Sequence, residues 1–417
     1  MLKSLFTGVS GLNAMSMAMG TIGNNIANVN TVGFKGMRNL FADLLASSVG
    51  KVSIGGGVRL SSTTPSFSQG SIITTGNTTD LAIDGDGFFI IDTGDGTYYS
   101  RSGIFLLDAD GYLVTPEGYK VQGWQLDENG TINSTLSDIN LANIMTAAKA
   151  TSTVKLKTNL NAEADIITAA FDWNDPSTYN YSTTLTVYDS LGKAHAISVY
   201  FVKTADNTWD AHYVYVDGTG TTVEASTTQT ITFNSDGSLD DDNSGTAINF
   251  SFGGGAASPQ AIYFDYGTGT SEGGTGLDGS TQYATPFSTN FLGQDGYTAG
   301  DLKSISINED GIIEGLFSNG QVRNLYQIAL ADFVSPWNLI KIGDNLFAET
   351  GASGQPIIDV PNTGGRGKII SGALEMSNVD LATEFTNLIL VQRAFQANAR
   401  VITTSDEMLT ELVNLKR

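Results

Sequence analysis

Near the start of the chain, Leu5, Gly8, Leu12, Met15, Met19, Ile22, Ile26 and Val29 recur at steps of three and four. That spacing lines one face of a helix with residues that must be buried. The far end repeats it. Leu381, Phe385, Leu388, Gln392, Phe395, Ala399, Ile402, Asp406, Leu409 and Val413 keep the alternation, with Gln392 and Asp406 as polar interruptions able to set register. The pattern predicts two long amphipathic helices, over 1–30 and 378–417, that bracket everything else.

Local propensity argues that the first helix does not stand alone. Gly8, Gly11, Gly20 and Gly23 lie in its interior, each costing about 1 kcal/mol relative to alanine. Ser16, Gly20, Gly23 and Ala27 form a second stripe where another backbone could come close. The second helix is better specified, with Ser377 as cap, Asp380 closing a capping box and Met376 stapled to Leu381. It should run nearly to Arg417, and about 36 helical residues span roughly 55 Å. Two core helices of one globular protein would satisfy the pattern; rods of this length more often serve assembly.

Between the helices the period changes. Residues 24–35 are dense in asparagine and reach Gly33, as a helix end followed by a fixed turn would. Residues 31–75 read as a connector, with Phe41, Leu44 and Leu45 in a short helical or extended piece that Gly55-Gly56-Gly57 breaks. From Asp80 the alternation is that of strands, as in Phe88-Phe89-Ile90-Ile91, and it resumes between Asp301 and Pro361. One turn pattern recurs at Asp108–Gly111, Asp127–Gly130, Asn234–Gly237 and Asn308–Gly311, reading as hairpins with a left-handed glycine. The expected fold is mixed but mainly β: nested β domains with long terminal α-helices paired in a coiled-coil-like assembly region. Its divisions are a helical assembly domain (1–30 and 378–417), a connector (31–75 and 361–377), an inner β domain (76–155 and 300–360) and an outer β insert (156–299).

Composition narrows the chemistry. The net charge of −22 argues against nucleic acid and anionic lipid as partners. Residues 156–299 hold three lysines against seventeen carboxylates, so most of that charge sits in the insert. There is no cysteine, which removes disulfides and thiolate metal sites. No apolar run is long enough to insert in a membrane. Polar residues from Ser4 to Ser16 break the apolar core that a cleaved signal peptide needs, so the N-terminus is expected to be kept. The only histidines, His195 and His212, lie in strand-like runs, and no nucleophile elbow is present. The Asp-Gly turns lack the ligand run of a calcium loop. The inventory points to no enzyme, with no catalytic residue, cofactor or metal assigned. A secreted β-rich adhesin or sugar-binding protein would explain the β body and the acidity, but not the terminal seams.

The residues Asn24, Asn25, Asn28, Gly33 and Phe34, within Ile22-Gly23-Asn24-Asn25-Ile26-Ala27-Asn28 and Thr31-Val32-Gly33-Phe34-Lys35, resemble the N-terminal signature of bacterial flagellar rod and hook axial proteins. Ser377, Asn378 and Asp380, with Gln392 and Arg393 in Gln392-Arg393-Ala394-Phe395-Gln396-Ala397-Asn398, resemble that family's other end. The interior run from Thr186 to His195 is similar to the outer domain of hook-type members, which the shorter rod proteins lack. The resemblance implies a structural subunit of the flagellar hook, an extracellular, flexible, curved tube that couples rod to filament and passes motor torque as a universal joint. A distal rod protein is the alternative within the family. It further implies a homopolymer, export through the flagellar type III apparatus, and the distal rod protein, hook cap and hook-filament junction proteins as partners. The expected assembly interface is Leu5, Leu12, Met15, Met19, Ile22, Ile26, Val29, Leu381, Phe385, Leu388, Phe395, Ile402, Leu409 and Val413.

Overall fold

The computed structural model describes residues 2–49, 52–127 and 130–414. The fold is mainly β with a long helix at each end, α1 at Leu2–Ala27 and α2 at Leu381–Asn414. Helix beyond Asn414, and Glu128 and Asn129 of the second turn, lie outside the described residues. Two compact units emerge: Met1–Asn143 with Lys303–Leu316 and Val322–Arg417, and Ile144–Leu302 with Phe317–Gln321.

The cap of α2 differs from the expected one. Asp380, one residue before the helix, accepts the amides of Ala382 at 3.1 Å and Thr383 at 3.3 Å and the Thr383 hydroxyl at 2.6 Å, while Ser377 accepts the amide of Val379 outside the helix. An aspartate at this position satisfies orphan amides and favours the positive end of the helix dipole, so it outcompetes a serine three residues upstream.

Residues 31–75 hold a long hairpin rather than an interrupted connector: β1 (Met37–Val49) pairs antiparallel with β2 (Val52–Pro65). Register shifts between Leu40 and Phe41, Leu44 and Leu45, and Leu45 and Ser47 explain why no clean alternation marks it in sequence. The glycines do not break β2. Gly57, at φ +111°, backs onto α1, where a Cβ would come within 2.1 Å of the Ser10 hydroxyl oxygen.

In the first unit a sheet runs from Val322–Ile328 through Lys120–Leu126, Phe88–Asp92, Thr97–Ser100 and Leu346–Ala348 to Ile340–Gly343. Strands from early and late sequence thus lie side by side, over a core in which Phe88, Phe333 and Phe347 meet edge to face. The recurrent turns are built alike in both units: Gly111, Gly130, Gly237 and Gly311 take φ between +72° and +83°. Asp108 and Asn308 each accept two amides of their own turn.

The second unit stacks two sheets. Tyr181–Tyr188, Ala194–Ala205, Thr208–Val216, Gln229–Phe233 and Leu239–Asp241 form one, and Ala247–Phe250, Gln260–Asp265, Thr153–Asn159 and Ser288–Gln294 the other. Their shared core includes Leu156, Phe201, Trp209, Tyr213 and Phe264. Within it the Trp209 indole donates to Gln282 at 2.8 Å and the Tyr213 hydroxyl to Gln229 at 2.6 Å. At the root of this unit Lys149 and Tyr297 form an antiparallel bridge. Beside it Asp295 accepts the Ser152 and Thr153 amides and the Ser152 hydroxyl, and pairs with Lys149 at 3.1 Å.

Burial pushes the Asp295 carboxyl up, but the Ser152 hydroxyl, the two amides and Lys149 bring it down to about 2. A carboxylate depressed in the folded state adds stability that is complete above its unfolded value, about 3.9, and is lost as pH falls through the folded one. Thermal unfolding of this unit should therefore lose stability between about pH 4 and pH 2, and Asp295→Asn should flatten that segment of the profile. An unchanged slope in the variant would remove Asp295 from the account.

Candidate assembly site: the junction of the two chain ends

Past the end of α1, the chain is fixed by side chains from sequence positions hundreds of residues apart. Asn25, buried, accepts the Met37 amide at 2.9 Å and donates to the Met37 carbonyl at 2.9 Å and to Glu384 of α2 at 3.2 Å. Asn28 donates back to the Asn24 carbonyl, closing the helix. Gly33, at φ +69°, gives its amide to the Glu375 carbonyl at 2.7 Å, and a Cβ there would sit 2.4 Å from the Ser102 nitrogen. Only glycine fits both the angle and the space. Phe34 is buried beneath the Lys341 ammonium, and Asn378 accepts the Gly36 amide while donating to Ser66 and Ser68 at the foot of β2. One asparagine thus anchors the chain as it enters the hairpin and as it leaves.

Beneath this knot lies a buried ion cluster. Lys35 meets Glu375 at 2.7 Å with both side chains fully excluded from solvent, and Arg101 stands 3.6 Å from the other Glu375 oxygen. Glu375 also accepts the Gly70 amide, Lys35 donates to the Ser68 carbonyl, and Arg101 donates to the Gly85 carbonyl and covers the Phe88 ring. Burial pulls the Lys35 ammonium below its usual range, with Glu375 opposing, and lowers Arg101 by the same cause. Glu375 is thus the ion-pair partner of Lys35 and the nearest carboxylate to Arg101, on which Asp86 and Asp332 also act, so its removal falls hardest on Lys35.

The helices run antiparallel. Ser4 is hydrogen-bonded to Ser405, Gly8 and Gly11 face Asn398 and Ile402, and Asn25 reaches Glu384. A Cβ on Gly8 would come within 2.9 Å of Ile402, and one on Gly11 within 2.7 Å of the Asn398 side chain. The buried face of α1 is accordingly Gly8, Gly11, Ala14, Ala18, Ile22 and Asn25. On α2 the covered positions include Glu384, Leu388, Val391, Phe395, Asn398, Ile402, Ser405 and Leu409 at heptad spacing, with Ala394 and Ala399 beside them.

Four family models match the chain in succession: "Flagella basal body rod protein" over 5–35, "Flagellar hook protein FlgE/F/G D1 domain" over 82–156, "Flagellar basal body protein FlaE D2 domain" over 159–297, and "Flagellar basal body rod FlgEFG protein C-terminal" over 370–415. The flagellar hook protein FlgE of Salmonella typhimurium is 37% identical over 420 residues, covering 98% of each chain. That of Borreliella burgdorferi is 36% identical over 451 residues, covering all of both. The chain belongs to the flagellar hook protein family. It is a structural subunit of the hook. A crystal structure of Helicobacter pylori flagellar hook protein FlgE2 shares the fold, with a TM-score of 0.51 at 18% identity over 73% of this chain and 100% of that one.

Against that identity, the fate of each expected residue is informative. Of the hook subunit's apolar stripes, Ile22 is buried, while Leu5, Leu12, Met15, Met19, Ile26, Val29, Leu388, Phe395, Ile402 and Leu409 are half-buried. Leu381 and Phe385 are exposed, and the side chain of Val413 lies outside the described residues. The close approach is not made by Ser16, Gly20, Gly23 and Ala27, which are exposed; a Cβ on Gly20 or Gly23 would meet open space. Nor do Gln392 and Asp406 set the register between the helices, since both are exposed, as is Arg393. Glu384, Asn398 and Ser405 are the polar members of the seam, and two of them bond across it. Sequence reasoning missed the ion cluster, because Lys35, Arg101 and Glu375 share no local pattern. Both histidines are structural, His195 paired with Asp189 and stacked on Phe252, His212 paired with Glu224 and stacked on Phe171.

Glu375→Gln should lower the unfolding free energy by about 3–5 kcal/mol, since the buried Lys35 ammonium loses its ion-pair partner. Adding Lys35→Met should recover part of that loss, a non-additivity that urea unfolding of the single and double variants will measure. Additive losses would mean that the cluster is not a coupled unit.

Proposed function

We propose that this hook subunit divides its labour along the chain: the terminal helices (1–30 and 378–417) hold the polymer together, while the outer insert (156–299) sets its curvature. The observation that carries this is the uncovered apolar surface of the paired helices. Phe385, half exposed, stands with Ile389, Leu390 and Val401 on faces of α2 that α1 leaves bare, and Phe6 and Met17 do the same on α1. Surface of that kind fits burial against other copies. The insert has the opposite character, with seventeen carboxylates and three lysines, so its contacts with neighbours would be wet, repulsive and able to slide. A tube closed by an apolar seam and lined outside by such contacts can turn as a joint, passing torque from rod to filament.

On this reading the partners are other copies of the chain, the distal rod protein, the hook cap, the hook-filament junction proteins and the flagellar type III export apparatus. Export would retain the N-terminus, since the first turns of α1 pack on α2 through Ser4 and Gly8. The subunit has no catalytic role here.

Two variants test the division. Phe385→Asp should leave thermal unfolding of the monomer unchanged and abolish tubes in electron micrographs. Replacing residues 150–296 by a short Gly-Ser turn, between Lys149 and Tyr297 that already face each other, should still give tubes, but straight ones. Curved tubes after the excision, or normal tubes from Phe385→Asp, would contradict the assignment.

A further inference from the structure

All the sulfur of the chain is thioether. There is no cysteine, so the eight methionines are the first targets that a mild two-electron oxidant meets, and exposure decides their order. Met17, Met145 and Met408 are exposed, by 51%, 61% and 49%. Met15, Met19, Met37 and Met376 are half-buried.

The three exposed sulfurs are placed differently. Met145 lies on a short strand, Met145–Thr146, of the second unit. The other two stand on bare helix faces. On α1, Phe6, Val9, Asn13 and Met17 follow one another at steps of three and four, and all four are exposed. Beside Met17 lie Ser16 and Gly20, too small to shield its sulfur. On α2, Met408 follows Val401 by seven residues, so the two share one exposed side of the helix.

Reduced methionine suits such a face. It is apolar and unbranched, and it moulds to an irregular partner. Oxidation reverses that fitness. The sulfur lone pair attacks one oxygen of a peroxide; the sulfur–oxygen bond forms, the oxygen–oxygen bond breaks, and the second oxygen leaves as water. The thioether loses two electrons and becomes a sulfoxide, a strong acceptor that must be stripped of water before an apolar surface can cover it. Neither bare face offers a cation to meet it: the only charged residue described on α1 is Lys3, and the charged residues beside Met408 are Asp406, Glu407 and Glu411.

We propose that Met17 and Met408 are oxidation sites that control entry into the polymer: a subunit oxidised there is refused, and a subunit already assembled is protected. This rests on the proposed burial of the bare helix faces against other copies. The helices thus test each subunit chemically before it is added, while oxidation at Met145 has no bearing on assembly.

The test treats the purified full-length chain with limiting hydrogen peroxide and maps sulfoxide by peptide mass spectrometry. Met17, Met145 and Met408 should be modified first. Treated chains should then need a concentration about tenfold higher to form tubes in electron micrographs, with thermal unfolding unchanged. The double variant Met17→Leu, Met408→Leu has no sulfur at either site, so peroxide should produce no such rise relative to the same variant untreated; in Met145→Leu the rise should match that of the parent. Met17→Gln, similar in length and polar, should hinder tubes with no oxidant present. In finished tubes Met17 and Met408 should oxidise at least tenfold more slowly than in the free chain. Equal peroxide sensitivity of the double variant and the parent, normal tubes from chains shown to carry both sulfoxides, or a lowered unfolding midpoint that accounts for the loss of tubes would each overturn the assignment and leave the apolar seam standing. Untreated chains that form no tubes would overturn the polymer reading itself, and this one with it.

Discussion

The buried contact between Lys35 and Glu375, with Arg101 beside it, is the constraint on which the first unit depends. Its three members come from between α1 and the hairpin, from just after the strand Thr97–Ser100 and from just before α2. An ion cluster with no access to water tolerates little displacement, because each cation loses its compensation as the carboxylate moves away. The cluster therefore fixes where the chain leaves one helix and enters the other. The backbone bond from Gly33 to Glu375 and the Asn378 bridge to the hairpin build on that fixed point.

With both ends fixed, the helices meet through glycine and alanine, and the register is set by polar pairs at the two ends of the seam. Ser4 with Ser405 and Asn25 with Glu384 lie about ten residues on either side of the middle of α1, too far apart to slip together. Small residues inside leave the larger apolar side chains on the flanks. The arrangement is economical for a subunit of a polymer: one set of positions closes the pair within the chain, and another stays available to neighbours.

Much of this was legible from sequence. The steps of three and four located both helices to within a few residues, and the change to period two marked the β body, because those signals arise from one face of one element. Asn25, Gly33 and Asn378 stood out as a family signature before their roles were visible. What could not be read was the phase of the seam. A stripe drawn through the largest apolar residues of α1 passes beside Gly11, Ala14 and Ala18, since close packing of two backbones favours residues that hydrophobicity ranks low. The bulged hairpin hid for a related reason, as each register shift reverses which face the next residue takes. The ion cluster depends on three residues spread over 340 positions of chain, a separation at which no pattern survives.

Amide hydrogen exchange of the full-length chain tests the central claim most directly, read at Gly33, Gly36 and Gly70. Their amides donate to the Glu375 carbonyl, to Asn378 and to the Glu375 carboxylate. If the clasp organises the junction, these three should exchange as slowly as the core strand Phe88–Asp92 and far more slowly than the exposed end of α2. Exchange at the rate of open loops, with the core strand still protected, would contradict it.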